Sequence, residues 1–108
     1  MYFSNVSFHV ARTAMVSSFE VFGTSGSIVT RDELSPAIFI CIVSSPITTN
    51  ISLTKDGNTV SYVVSNTQLV YTIDKSSCDD MGTFICSVSS DDVDEPASAS
   101  IEYFVQCK

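Results

Sequence analysis

The stretch DDMGTFIC, Asp79 to Cys86, sets an aspartate, a glycine, an aromatic ring and a cysteine at alternate positions, Asp80, Gly82, Phe84 and Cys86. A period of two is that of a β-strand, whose successive side chains point to opposite faces. Phe84, Cys86 and Val88 then share one face. Gly82 permits a tight backbone at the corner entering the strand. Asp80 can hydrogen-bond or pair locally at the same corner.

The same period runs outward in both directions, and no amphipathic helix longer than a turn or two interrupts it. SFEVFG (Ser18–Gly23) and GSIVT (Gly26–Thr30) read as a broken edge strand. AIFICIV (Ala37–Val43) is apolar and β-branched, as expected of a central strand. NISLT (Asn50–Thr54) leads into the turn KDGN (Lys55–Asn58), where Asp-Gly supplies the positive φ that a hairpin needs. TVSYVV, QLVYTID, TFICSVS and SASIEYFVQ follow, the last ending at Gln106. Short strands in this number, about seven, with turns between them predict an antiparallel β-sandwich.

Bulk properties narrow the function. The chain has 108 residues, room for one domain with one core, and 44% of them are hydrophobic. The formal net charge is −7 with only five Lys or Arg, a surface that repels phosphate backbones and anionic lipid, so nucleic acid is excluded as a partner. No apolar run approaches the length of about 18 residues that suggests a membrane helix, so no membrane insertion is expected of this segment. MYFSNVSFHVARTAMVSSF at the start lacks a basic region and is broken by polar residues and Arg12, which makes a poor signal peptide. We read the chain as a piece of a longer protein. Residues 1–16 precede the regular pattern and form an N-terminal extension or an extra edge strand, leaving 17–108 as the domain.

Four cysteines, Cys41, Cys78, Cys86 and Cys107, contain no C-x-x-C pair, and the lone histidine, His9, is far from them in sequence. Zinc is therefore poorly supported and a disulfide framework favoured, which needs an oxidising compartment. Two glycosylation acceptors, Asn5-Val6-Ser7 and Asn50-Ile51-Ser52, agree with a secreted or cell-surface location. In a sandwich, Cys86 on one sheet can bridge to Cys41 on the other and close a loop of 45 residues, worth about 3–4 kcal/mol by chain entropy. Phe39 and Val43 then flank Cys41 on the inner face.

DDMGTFIC, with its upstream cysteine, resembles the Asp-x-Gly-x-Tyr-x-Cys signature of the immunoglobulin superfamily, over about residues 18–106. The resemblance implies an all-β, two-sheet antiparallel immunoglobulin-like sandwich of about seven strands with Greek-key connections, in a compact C2-like or I-like set. Cys41 corresponds to the family's B-strand cysteine and Cys86 to its F-strand cysteine, and KDG resembles the hairpin after strand C. Two positions depart from the pattern. There is no tryptophan, and Leu53 stands near the usual place of the core Trp; Phe84 replaces the corner tyrosine, so its hydroxyl-to-backbone bond is lost. The implied topology brings Cys78, at a corner between strands, and Cys107, after the last strand, to the same end. They bridge each other there, or join a neighbouring domain or chain.

Candidate functional residues fall in two places. Asp91, Asp92, Asp94 and Glu95 lie in the acidic run SSDDVDEP. It is either a solvated turn, or a contact for a basic partner, or a source of oxygen ligands for Ca²⁺, although its spacing does not fit a calcium loop. Ile38, Ile40 and Ile42 alternate with the inward residues of the central strand, so they face out, joined by Val70 and Thr72. Burying each isoleucine is worth about 1.5–3 kcal/mol, so this face either docks a partner or is covered by residues 1–16. Tyr62 and Tyr103 are contact aromatics or core. No catalytic site is expected: His9 is isolated, no serine lies in G-x-S-x-G and no glycine loop suits phosphate. No cofactor or metal is implied.

The expectation is an extracellular immunoglobulin-like binding module for protein recognition or cell adhesion, with another immunoglobulin domain or a second copy as partner. An immune domain that binds microbial protein or glycan, a calcium-dependent adhesion domain and a structural spacer are the other readings this fold admits.

Overall fold

The computed structural model describes residues 14–44, 49–89 and 97–107. Eight strands follow in order: β1 Met15–Val21, β2 Ile28–Asp32, β3 Ala37–Ser44, β4 Asn50–Lys55, β5 Asn58–Val63, β6 Gln68–Ile73, β7 Gly82–Ser89 and β8 Ala97–Gln106. A short 3-10 turn, Cys78–Asp80, precedes β7. β1, β3 and β6 form one sheet in the order β1-β3-β6, and the second runs β2-β8-β7-β4-β5. The expected sandwich is present. The expected broken edge strand is two strands in different sheets: after β1 the chain turns through Gly23 at φ 87° and Gly26 at φ 113°, and β2 then pairs parallel with β8. That raises the count from about seven to eight.

The inner faces are set by alternation. Phe39, Cys41 and Val43 of β3 and Leu69 of β6 are buried against Leu53 of β4, Phe84, Cys86 and Val88 of β7 and Ile101, Tyr103 and Val105 of β8. Cys41 and Cys86 are bridged across the sheets, with Cα atoms 6.5 Å apart. Leu53 is fully buried and pairs with Cys86. Three rings fill the middle, where a larger aromatic was missing from the sequence. Phe39 stacks on Phe84 at 4.3 Å between centroids, and Tyr103 meets both edge-on at 5.3 and 6.0 Å. Such pairs add about 0.5–1.5 kcal/mol each beyond the area they bury.

The alternation of DDMGTFIC now has a cause at each position. The Asp80 carboxylate accepts the Ser77 N–H at 2.7 Å and closes the turn before the strand. Gly82 lies under the β4–β5 turn: Asp56 Oδ1 accepts the Thr83 N–H at 3.0 Å, and a Cβ on Gly82 would stand 2.9 Å from the Asp56 carboxyl carbon, closer than real Cβ atoms approach. Lys55 Nζ donates to the Asp79 carbonyl oxygen. Phe84 joins the ring cluster and Cys86 forms the bridge.

The hydroxyl lost at Phe84 reappears one strand away. Tyr103 and Ser76 are both completely buried, and their side-chain hydroxyls share a hydrogen bond of 2.5 Å. Ser76 is also tied by its backbone, accepting from Leu34 N–H at 2.7 Å and donating to Ser35 O at 2.8 Å. One serine thus joins the β2–β3 corner, the segment after β6 and strand β8. Cys78 and Cys107 bridge each other at the same end, with Cα atoms 5.8 Å apart.

Candidate functional site

The outer face of the three-stranded sheet is built by the strand that carries Cys41. With Phe39, Cys41 and Val43 turned inward, Ile38, Ile40 and Ile42 form a column down the middle of the outer side. Register supplies its flanks. Ile42 lies between Ser18 and Gln68, Ile40 between Glu20 and Val70, and Ile38 beside Thr72. At the lower end the Phe22 N–H donates to Ile38 O at 2.8 Å, which fixes Phe22 next to the column.

Among the described residues this face is apolar and uncovered; residues 1–13 of the segment expected as an alternative cover lie outside them. Phe22 is 68% exposed, Val70 47% and Ile42 41%, while Ile38 and Ile40 are half-buried by their neighbours. Met15, 61% exposed, extends the patch past Ile42. Glu20 is the one formal charge that the described strands place on it. The sequence anticipated the isoleucines, Val70 and Thr72. Phe22 lies within the strand read as Ser18–Gly23, but the sequence does not assign it to this face, because only the pairing of β1 with β3 sets Glu20 beside Ile40 and Phe22 beside Ile38.

The other outer face is different in chemistry. Ser52, Ser87 and Ser98 form one row across β4, β7 and β8, and Ile85 and Ser100 pair in the next. Hydroxyls of this kind are content in water, but Ile28 and Phe104, 63% and 43% exposed, stand on the same face around Glu102, so this side carries apolar surface too, interrupted by hydroxyls and charge. Asn50, the second glycosylation acceptor, is on this side at the start of β4, and its side-chain Oδ1 accepts the Ser65 N–H at 3.2 Å. Tyr62 is 54% exposed there, whereas Tyr103 belongs to the core.

Asp91, Asp92, Asp94, Glu95 and Asn5 lie outside the described residues. Among the described residues no group of His, Cys, Asp or Glu is placed to hold a metal ion, and no helix is long and apolar enough to cross a membrane.

No family model matches the chain, and no curated protein matches it significantly. Solved structures do. The N-terminal four immunoglobulin domains of Dscam1 isoform 1.9 match with a TM-score of 0.62 at 26% identity, over 87% of this chain and 20% of that one. A Dscam structure that gives the structural basis for isoform specificity matches with a TM-score of 0.64 at 24% identity, over 87% and 21%. A chimeric titin Z1Z2 carrying a decorin peptide superposes with a TM-score of 0.71 at 13% identity, over 90% and 98%. The chain spans about a fifth of the Dscam chains that it matches.

Proposed function

Given that the chain has the immunoglobulin fold, we propose that it is a protein-recognition module of a larger surface or secreted protein, and that it docks its partner on the outer face of β1, β3 and β6. The observation that carries this reading is the exposed aliphatic column, continuous along β3 and flanked by Phe22 and Val70, whereas on the other sheet exposed Ile28 and Phe104 are interrupted by hydroxyls and Glu102. An apolar patch on a domain surface marks an interaction site more often than a scattered leucine does. A sandwich pinned by two disulfides loses little entropy when such a face is covered. The partner is another immunoglobulin-type domain, a second copy being the first to test.

Two disulfides support an extracellular setting, because bridges of this kind persist outside the reducing cytosol. Asn50 agrees with it: a glycan there would sit on the hydroxyl-lined sheet and leave the aliphatic face open. The similarity to a Dscam structure concerned with isoform specificity supports recognition over simple spacing.

The test is sedimentation velocity on the oxidised, glycosylated chain over a wide range of concentration, with Ile40→Lys beside it. Homotypic docking gives a concentration-dependent dimer that the variant loses at an unchanged melting temperature. A dimer that Ile40→Lys leaves intact would place the contact elsewhere, and a monomer throughout would refute homotypic docking.

A further inference from the structure

Among the described residues the two sheets have four free edges, and these are not equally protected. β1 carries Glu20 and a register shift between Val16 and Ser18. β2 is five residues long and ends in Arg31 and Asp32. β5 is offset against β4 by an irregularity at Leu53 and Thr54. Charges, bulges and shortness are the devices by which edge strands avoid pairing with other chains. β6, Gln68-Leu-Val-Tyr-Thr-Ile73, has none of them. It carries no charge, proline or glycine and pairs with β3 in unbroken register.

Its hydrogen-bonding phase is fixed. Val43 N–H donates to Thr67 O at 2.8 Å, and opposed residues of an antiparallel pair alternate between bonded and non-bonded. Leu69, Tyr71 and Ile73 therefore bond β3. Gln68, Val70 and Thr72 turn their N–H and C=O groups to the open side, where the Gln68 N–H donates to Asn66 Oδ1 at 3.2 Å. All three side chains are solvent-exposed.

We propose that β6 pairs antiparallel with β6 of a second copy of this chain, about a two-fold axis at Val70. Directly opposed residues share a face, so Val70 meets its own counterpart and Gln68 meets Thr72 of the second copy. The open N–H and C=O groups of Val70 and Thr72 and the Gln68 carbonyl are then used on both strands, and the Gln68 N–H exchanges Asn66 Oδ1 for a carbonyl of the second copy. Moving the axis to Tyr71 would leave Gln68 outside the six-residue ladder. Charge selects the same edge. The chain carries −7, and self-association is least opposed where the paired strands bring no like charges together. This pairing lies in the plane of the sheet and does not rest on the outer face being a docking surface.

The experiment is amide hydrogen exchange on the whole oxidised chain at low and high concentration, up to about 1 mM, beside sedimentation velocity. The doubly substituted chain Gln68→Lys/Thr72→Lys sets lysines opposite each other across the axis, at two exposed positions that the core does not use. The expected result is a dimer in which the amides of Val70 and Thr72 gain protection by about tenfold or more, lost in the double variant at an unchanged melting temperature. A monomer at every concentration overturns the proposal, as does a dimer whose new protection lies elsewhere. A dimer abolished by Ile40→Lys with no gain at those two amides belongs to the outer face; it supports the docking reading and overturns this one.

Discussion

Replacing Tyr103 with phenylalanine removes one oxygen atom from the protein and strands another. Ser76 is fully buried, and its backbone N–H and C=O are committed to Ser35 and Leu34. Its hydroxyl has the Tyr103 hydroxyl as its hydrogen-bond partner. In Tyr103→Phe that hydroxyl is left buried and unpaired, which costs about 1–3 kcal/mol. Ser76→Ala leaves the phenol in the same position and costs a similar amount. Removing both hydroxyls removes the unpaired group as well, so the double variant should lose only about 1 kcal/mol, the net worth of one hydrogen bond. The two single costs together come to about 2–6 kcal/mol against about 1 in the double variant, a coupling of about 1–5 kcal/mol whose lower part is the range found for residues in direct contact. Urea unfolding of the oxidised chain measures this as shifts in midpoint at constant slope. In a thermal scan each single variant should melt roughly 5–15 °C lower. Single variants within about 0.5 kcal/mol of the parent, or costs that simply add in the double variant, would refute the account of Ser76 as the joint of that end.

Three further outcomes are expected. Gly82→Ala should destabilise by about 1–3 kcal/mol through overlap with the Asp56 carboxylate, and the cost should be smaller when measured in an Asp56→Ala background. Phe39→Ala removes the ring that touches both Phe84 and Tyr103 and should cost about 3–5 kcal/mol by urea unfolding. Replacing Cys78 and Cys107 together by serine should lower stability by about 2–4 kcal/mol, seen as a lower melting temperature, with the bridge from Cys41 to Cys86 still found by peptide mapping.

The parts of this molecule visible in its sequence are those encoded by neighbours along the chain. Alternation in AIFICIV separates Phe39, Cys41 and Val43 from the three isoleucines, and the structure keeps that division. The Asp-Gly turn is legible for the same reason, because positive φ at two successive residues restricts what can stand there. Other features depend on pairing across long separations. Which sheet receives each half of the broken first strand is decided by the parallel pairing of β2 with β8, and no local pattern reports it. Tyr103 could have been assigned inward from its alternation with Ile101 and Val105 against Glu102, but exposed Phe104 blurs that signal. Ser76 is one of two adjacent serines beside a lysine, in a segment that reads as solvent-exposed turn. Its burial arises only when β8 and the β2–β3 corner arrive. Phe22 was missed for the reverse reason, as an aromatic that the fold leaves outside.

The two bridges have a mechanical consequence beyond their stabilising effect. Their loops interlock, since Cys78 lies inside the segment closed by Cys41 and Cys86. If tension is applied to the chain before Cys41 and after Cys107, the covalent load path crosses one bridge, follows the eight residue steps from Cys86 back to Cys78, and leaves by the other bridge. Of the 66 steps of chain between Cys41 and Cys107, those eight can be drawn straight while both bridges hold, a length of roughly 30 Å in place of roughly 230 Å. Strands β4, β5, β6 and β8 lie between the bridged cysteines outside that path and are spared longitudinal pull, whereas β1 and β2 precede Cys41 and stay in the line of load. Extensibility between Cys41 and Cys107 is therefore governed by redox state: oxidised, that segment is a short, nearly inextensible link, and reduction of both bridges releases about 200 Å of slack.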